Sequence, residues 1–304
     1  MTTPLPQSAT PHAPPLCLAP MPALRAPWNR LPPGATDCHC HVFEDPVRHP
    51  WGAQRSYTPR LADRHAYAAL CRSLGLERTV QVSASVYGAD NRLTLDLIAE
   101  LGQDRARGVA GIAVSTTQAE LHALHDGGMR GVRVSTLMKG YGGSDAMASI
   151  AVRIQPLGWH LQLHFERAAE IAALEASLLR LPVPLVFDHL GCVRGSEGVD
   201  HAGFQAMLRI LQRRDDCWVK VSSWYRRSDA EPGCEDMRPL VQALVDVRPD
   251  RLVFGTNWPH PALFAPAQVP VDADLVDQFC DWVPDVRVRQ AILVHNPARL
   301  YGFA

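Results

Sequence analysis

The feature that most restricts this chain is a rhythm. After Gly34, short apolar or β-branched runs alternate with stretches of helical period, and the alternation repeats eight times. The apolar runs fall at 35–41 (ATDCHCH), 78–84, 107–114, 131–135, 160–164, 184–188, 217–221 and 251–255. Helical patterns lie between them at 61–74, 91–101, 118–126, 144–156, 167–179, 201–213 and 234–247, and two more at 273–282 and 286–294 close the chain. Gly75, Gly127-Gly128 and Gly158 stand where helix ends call for a left-handed residue. Eight strands, each followed by a helix, is the count of an α/β (β/α)8 TIM barrel. An open doubly wound sheet rarely has eight strands so evenly spaced, and no Gly-x-Gly-x-x-Gly or phosphate loop follows a strand. The expectation is a single barrel domain over residues 34–304. Residues 1–33 carry ten prolines, few charges and no periodicity, so a mostly disordered tail is expected there, with a few residues near Trp28 against the domain.

Thirty basic against 31 acidic residues give no field to attract nucleic acid or an anionic membrane. An anionic ligand must therefore be held by a few local arginines. The apolar runs are too short to cross a bilayer, and no N-terminal segment has the make-up of a secretory signal. The eight cysteines show no Cys-x-x-Cys pair and no framework spacing, and read as reduced thiols of a cytoplasmic protein.

A barrel of this kind gathers its chemistry at the C-terminal ends of its strands. Seven of the eight candidate strands end in hydroxyl or titratable groups: His39 and His41; Ser83 and Ser85; Arg133 and Ser135; His164 and Glu166; Asp188 and His189; Ser222, Ser223, Tyr225 and Arg226; Asn257 and His260. His39 and His41 are one residue apart, so on a strand both imidazoles share a face, while Cys38 and Cys40 point the other way, under the helices. Lys220 reads as barrel interior. Gly140-Tyr141-Gly142-Gly143 reads as a flexible loop over the mouth with Tyr141 as a lid. Trp224 and Trp258 flank the expected pocket, as rim packing or as stacking surfaces.

His39-x-His41, a histidine ending strand 5, Asp188-His189-Leu190-Gly191 and Gly255-Thr256-Asn257-Trp258-Pro259-His260 together resemble the amidohydrolase superfamily. Within it the chain is similar to the metal-independent, 2-pyrone-4,6-dicarboxylate lactonase-like branch, over roughly residues 30–302. Arg55-Ser56-Tyr57, the run Gly127–Arg133 and the closing Asn296–Tyr301 add to the likeness. The resemblance implies a barrel hydrolase that opens a carboxylated lactone in aromatic or sugar-acid catabolism, with no cofactor required. It implies that His39, His41 and His189 surround the lactone carbonyl oxygen, where imidazole N–H groups stabilise developing charge. Arg133 and Arg226 match positions that bind substrate carboxylates, and Tyr57 matches another substrate contact. Ser85 and His164 complete the expected substrate-binding set.

Asn257 departs from the pattern: the hydrolytic lactonase has an aspartate there that activates water. A neutral amide cannot take a proton, though it can orient a hydroxyl. His164 departs the other way, since metal-binding relatives have histidine there. Four accounts stay open. The chain is a lactone hydrolase in which His260 or His164 supplies the base. It is a sugar-acid lactone isomerase of the galactarolactone type, with Asn257 positioning a substrate hydroxyl. It is a mononuclear zinc hydrolase using His39, His41 and His164. Or it is a barrel that binds lactones without turning them over.

Overall fold

A computed structural model describes residues 13–304, apart from 24, 231–232 and 267–268. Eight strands follow one another around a single parallel sheet in chain order. They are β1 (Thr36–Cys40), β2 (Arg78–Val82), β3 (Ala106–Ala110), β4 (Met129–Ser135), β5 (His160–His164), β6 (Leu185–Phe187), β7 (Cys217–Ser222) and β8 (Leu252–Gly255). The sheet closes on itself past the end of β8, where Asn257 donates its N–H to the His39 carbonyl and His41 donates to that of Trp258, each at 2.7 Å. This is the (β/α)8 barrel that the alternation requires. The buried Asp37 carboxylate reinforces the seam: it accepts from the Thr256 N–H and hydroxyl, from the His39 N–H and from the Tyr67 hydroxyl. Gly255 is needed at this closure, because a Cβ there would lie 2.7 Å from that of His39.

Helices α1 (Arg64–Leu74), α2 (Arg92–Leu101), α3 (Gln118–Asp126), α4 (Met147–Ile154), α5 (Ala169–Leu178), α6 (Ala202–Arg213), α7 (Arg238–Val247) and α8 (Asp272–Trp282) form the outer layer. Local chemistry sets several of their ends. Asp63 caps α1, and Thr117 with Glu120 makes a capping box on α3. Gly75 and Gly158 are left-handed as expected; of the pair at 127–128 only Gly128 is. The last helical stretch is broken: α9 (Val286–Gln290) ends in a wider turn over Ala291–His295 before α10 (Asn296–Tyr301). No helix among the described residues is long and apolar enough to cross a membrane.

One expectation is corrected here. The register between β1 and β2 shifts between Asp37 and Cys40, a bulge that inserts one residue into β1. Cys40 stays on the helix side, against Thr79, but Cys38 turns inward to pack with Val80, Val82, Val109, Val186 and Val253. Strict alternation fails at a bulge, and the cysteines part company. Of the expected tail, residues 1–12 lie outside the described residues, while 13–23 and 25–33 run against the barrel. Cys17 donates its N–H to the Thr58 carbonyl and Thr58 donates to that of Pro15, Leu18 donates to Leu263, and Arg25 pairs with Asp274 and Asp277. Prolines restrict the unfolded chain as well, which lowers the entropy lost on docking. The Trp28 ring itself is exposed; its backbone N–H makes the contact, to Asp277.

Candidate active site

At the C-terminal end of the barrel a cavity of about 320 Å³ is lined by His41, Tyr57, Ser85, Arg133, Leu137, Met138, His164, His189, Ser223, Arg226, Arg227, Asn257, Pro261 and Ala262. Eight of the ten residues expected at the site are in this lining; His39 and His260 are not. Both are buried just behind it. The strand ends around the cavity hold strained backbone. His189, Leu190 and Cys192 after β6, Ser223 after β7, and Asn257, His260 and Ala262 after β8 all have left-handed φ between 52° and 61°. Side chains other than glycine rarely adopt that conformation, and it concentrates where a site is being held in shape.

Beneath the cavity is a dry floor of charge. Asp188 accepts from Arg133 Nε at 2.8 Å and from Gln162 Nε2 at 3.0 Å. Lys220 Nζ donates to Gln162 Oε1 at 2.7 Å and lies 3.3 Å from His39 Nδ1 and 3.7 Å from Asp188. Burial opposes the Asp188 carboxylate, but Arg133, His39 and Lys220 outweigh it and hold its pKa well below the usual range. Burial also lowers Lys220, to about 8. Lys220 is the interior residue the sequence suggests. Tyr141 is no free lid: its hydroxyl donates to the Ser83 carbonyl and its ring sits 5.3 Å from the Arg133 guanidinium. Trp224 and Trp258 are packing residues, against Trp282 and Phe254 and against Tyr67.

The imidazoles cluster, with ring centroids 5.0 Å apart for His39 and His41, 4.7 Å for His39 and His189 and 5.4 Å for His164 and His189. Their hydrogen bonds give them different chemistry. Burial drives His41 down to about 3 and lowers His164 and His189 well below 6.5, so all three are neutral. His41 Nδ1 is 2.8 Å from the Val82 carbonyl and must carry the proton, which leaves Nε2 a lone pair. Ser135 Oγ accepts the N–H groups of Leu137 and Met138, so its own hydroxyl proton goes to His164 Nδ1 at 3.0 Å. His164 therefore offers Nε2–H. His189 Nδ1 is held by the Ser222 hydroxyl at 2.8 Å.

This corrects two expectations. His164 cannot supply a base, because one nitrogen is already protonated and the other occupied. Nor does it suit a zinc ion shared with His39 and His41, since a ligand nitrogen must be a lone pair. Among the described residues, His39, Asp188 and His189 place ligand atoms within 4.8 Å of one another, yet Lys220 and Arg133 already supply two cations to Asp188. A dication fits that surrounding poorly.

Along the β7–β8 wall, Asn257 Nδ2 donates to Ser223 Oγ at 3.2 Å and to the Tyr225 oxygen at 3.0 Å, leaving Oδ1 for the cavity. Tyr225 is 2.8 Å from His260 Nδ1, and His260 Nε2 is 3.3 Å from Asp272, the first residue of α8. His260 is hydrogen-bonded at Nδ1, its Nε2 lies within ion-pair distance of Asp272 without a hydrogen bond, and the ring does not line the cavity. Sequence reasoning missed Arg227, which lies in the same short turn as Arg226 directly after a polar strand end and could have been taken with it. It also missed Asp272, for which no local signal exists.

A family model described as amidohydrolase matches residues 36–303. The chain is 38% identical over 285 residues to the 2-pyrone-4,6-dicarboxylate hydrolase of Comamonas testosteroni, covering 90% of this chain and 92% of that protein. It is 34% identical over 292 residues to the 4-sulfomuconolactone hydrolase of Hydrogenophaga intermedia, covering 95% of each. It is 27% identical over 276 residues to the D-galactarolactone isomerase of Agrobacterium fabrum, covering 91% of this chain and 94% of that one. Among solved structures, one from Agrobacterium tumefaciens aligns with a TM-score of 0.84 at 26% identity, over 93% of this chain and 99% of that one.

Proposed function

Because this chain belongs to the amidohydrolase family, we propose that it is an enzyme opening the ester ring of a small carboxylated lactone, of the 2-pyrone-4,6-dicarboxylate, muconolactone or sugar-acid type. The observation that carries the reading is the charge of the cavity. Arg133, Arg226 and Arg227 line it, and among the described residues no aspartate or glutamate does. Asp188 offsets part of Arg133 from below, so the net field at the mouth is positive and selects an anion. Forked guanidinium groups suit carboxylates. Both hydrolase relatives named above act on lactones, in keeping with this chemistry.

The reaction follows from the donors. A nucleophilic oxygen attacks the lactone carbonyl, and negative charge develops on the carbonyl oxygen. His164 Nε2–H and the outer nitrogens of Arg133 are the fixed donors able to receive it. Asn257 Oδ1 accepts a hydrogen bond from the attacking O–H and so aims it. No step calls for a metal. The test is turnover of purified protein with carboxylated lactones, following ring opening by NMR and proton release together. Loss of the lactone with one proton released per ring is expected; a panel left unconsumed would end the reading.

A second reading is ring-size isomerisation, in which a hydroxyl of the substrate itself attacks. The amide at 257 favours it, since positioning a hydroxyl needs no carboxylate, and one relative is a lactone isomerase. Conversion of one lactone into another without proton release would select it.

A further inference from the structure

Attack on the carbonyl needs a proton acceptor, and the imidazoles facing the cavity are unsuited. His41 is far too weak a base, burial likewise holds His189 well below 6.5 with its Nδ1 on Ser222, and His164 has no free nitrogen. The wall between β7 and β8 holds another candidate. We propose that Tyr225 is the general base of this site, its phenolate oxygen held by Asn257 and by a His260–Asp272 pair that acts as its counter-cation. The inference rests on the lactone reading and deepens it.

The geometry is that of an oxygen set between an amide donor and an imidazole. Asn257 directs an N–H at the Tyr225 oxygen from 3.0 Å, and the same amide anchors on Ser223. His260 Nδ1 approaches from 2.8 Å on the other side. Behind it, Asp272 lies 3.3 Å from Nε2 and is itself buried, so the imidazolium has an anion next to it. Arg226 lies with its guanidinium 5.4 Å from the Tyr225 ring, adding a second positive charge. The His260 contact serves both protonation states: a neutral Tyr225 donates to Nδ1, and an imidazolium donates back to the phenolate, so the proton can pass between them along one hydrogen bond. Tyr225 is not among the cavity-lining side chains, but it is partly exposed, unlike His260, and its oxygen lies 3.0 Å from the Asn257 amide that lines the cavity.

The charged and polar groups facing this oxygen agree in sign. Burial opposes the phenolate, but Arg226, His260, Ser223 and Asn257 together bring Tyr225 down to about 8. Burial likewise opposes the imidazolium, and Tyr225 with Asp272 raises His260 to about 9. Each shift depends on the other group's charge, so the phenolate and the imidazolium are favoured together, as a pair. Asn257 thus has two tasks: its N–H groups steady the base and its Oδ1 aims the nucleophile.

In the step itself, the Tyr225 oxygen takes the proton of the attacking O–H as that oxygen bonds to the acyl carbon. The carbonyl π pair moves to the oxygen facing His164 and Arg133. On collapse the ring C–O bond breaks, and the leaving oxygen recovers the proton from Tyr225. With water as nucleophile, Asn257 Oδ1 holds the second O–H, and the new carboxylic acid then ionises and releases one proton; a substrate hydroxyl has one proton, which passes to Tyr225 and on to the leaving oxygen, and a new lactone remains with no net release.

The experiment combines kinetics with a titration that needs no turnover. Near-ultraviolet tyrosinate absorbance of the whole protein is followed against pH, for wild type and Tyr225→Phe, and kcat and KM are measured across the same range. A tyrosine ionising near pH 8 in wild type and missing from the variant is expected. Wild-type kcat should rise with pH along that transition, and Tyr225→Phe should lose ~10²- to 10⁴-fold in kcat with KM within a few-fold. Asp272→Asn, acting through His260 as a positioning residue, should move both the titration and the rise in kcat to higher pH. Full kcat in Tyr225→Phe overturns the proposal, as does a rise unmoved by Asp272→Asn. If wild type consumes no lactone at all, the lactone reading falls, and the titration still reports on Tyr225 separately.

Discussion

On the floor of the cavity, Asp188 lies between Arg133 and Lys220 and every partner is buried. On the β7–β8 wall, Tyr225 and His260 are also packed in protein, but the one carboxylate paired with them among the described residues is Asp272, at the far end of the chain of contacts. The floor holds its carboxylate ionised far from neutrality, whereas the wall has two groups whose protons move between about 8 and 9. The lesson is a division of labour. Charges compensated in place shape a site and set its sign, and groups left only partly compensated are the ones available to move protons.

Disturbing the floor should produce the larger effect. Asp188→Asn leaves Arg133 and Lys220 buried without their anion, and breaking such a group costs about 3–5 kcal/mol. Chemical denaturation should show a lowered midpoint of that size, and an unchanged midpoint would mean the floor is not the closed ion network described. At the mouth, Arg226→Gln should raise KM for a dicarboxylated lactone by roughly 10- to 100-fold, since a charge-assisted hydrogen bond contributes about 1.5–3 kcal/mol, and should move the rise of kcat to higher pH because Arg226 also lowers Tyr225. An unchanged KM would remove Arg226 from substrate binding.

Asn257→Asp sharpens the comparison from the wall side. A carboxylate there supplies a base of its own and repels a phenolate at Tyr225, so the rise of kcat with pH should move to lower pH. Hydrolysis should gain by up to about tenfold, the Brønsted-scale benefit of a better-matched base, and an isomerising enzyme should divert product toward the open acid. An unmoved profile would dissociate residue 257 from the base. The smallest effect is expected from chelation: prolonged dialysis against a strong chelator should leave kcat/KM unchanged, whereas a loss restored by added zinc would put a metal in the reaction.

How far these features were legible in the sequence differs between the same two regions. Strand order and the residues at strand ends follow from alternation, which is why His41, Arg133, His164, His189 and Asn257 were placed together. Depth along a strand does not follow from alternation. His39 and His41 share a face, yet one is sealed beneath the cavity and the other lines it. The bulge that turns Cys38 inward has no mark in ATDCHCH. Tyr141 looks mobile among its glycines because the bond that pins it is to Ser83, on another strand's end. Asp272 was invisible for the same reason: it is an ordinary acidic residue in the first turn of a helix until the fold sets it beside His260. Tautomers are a tertiary property throughout, fixed here by Val82, Ser135 and Ser222.

The most direct check of the central claim, that this cationic cavity opens a carboxylated lactone by attack of water at the acyl carbon, is a turnover in ¹⁸O-enriched water with mass analysis of the product. The account predicts an open acid carrying one heavy oxygen in its newly formed carboxylate. An open acid whose new carboxylate lacks the label, or substrate returned unchanged, would contradict it.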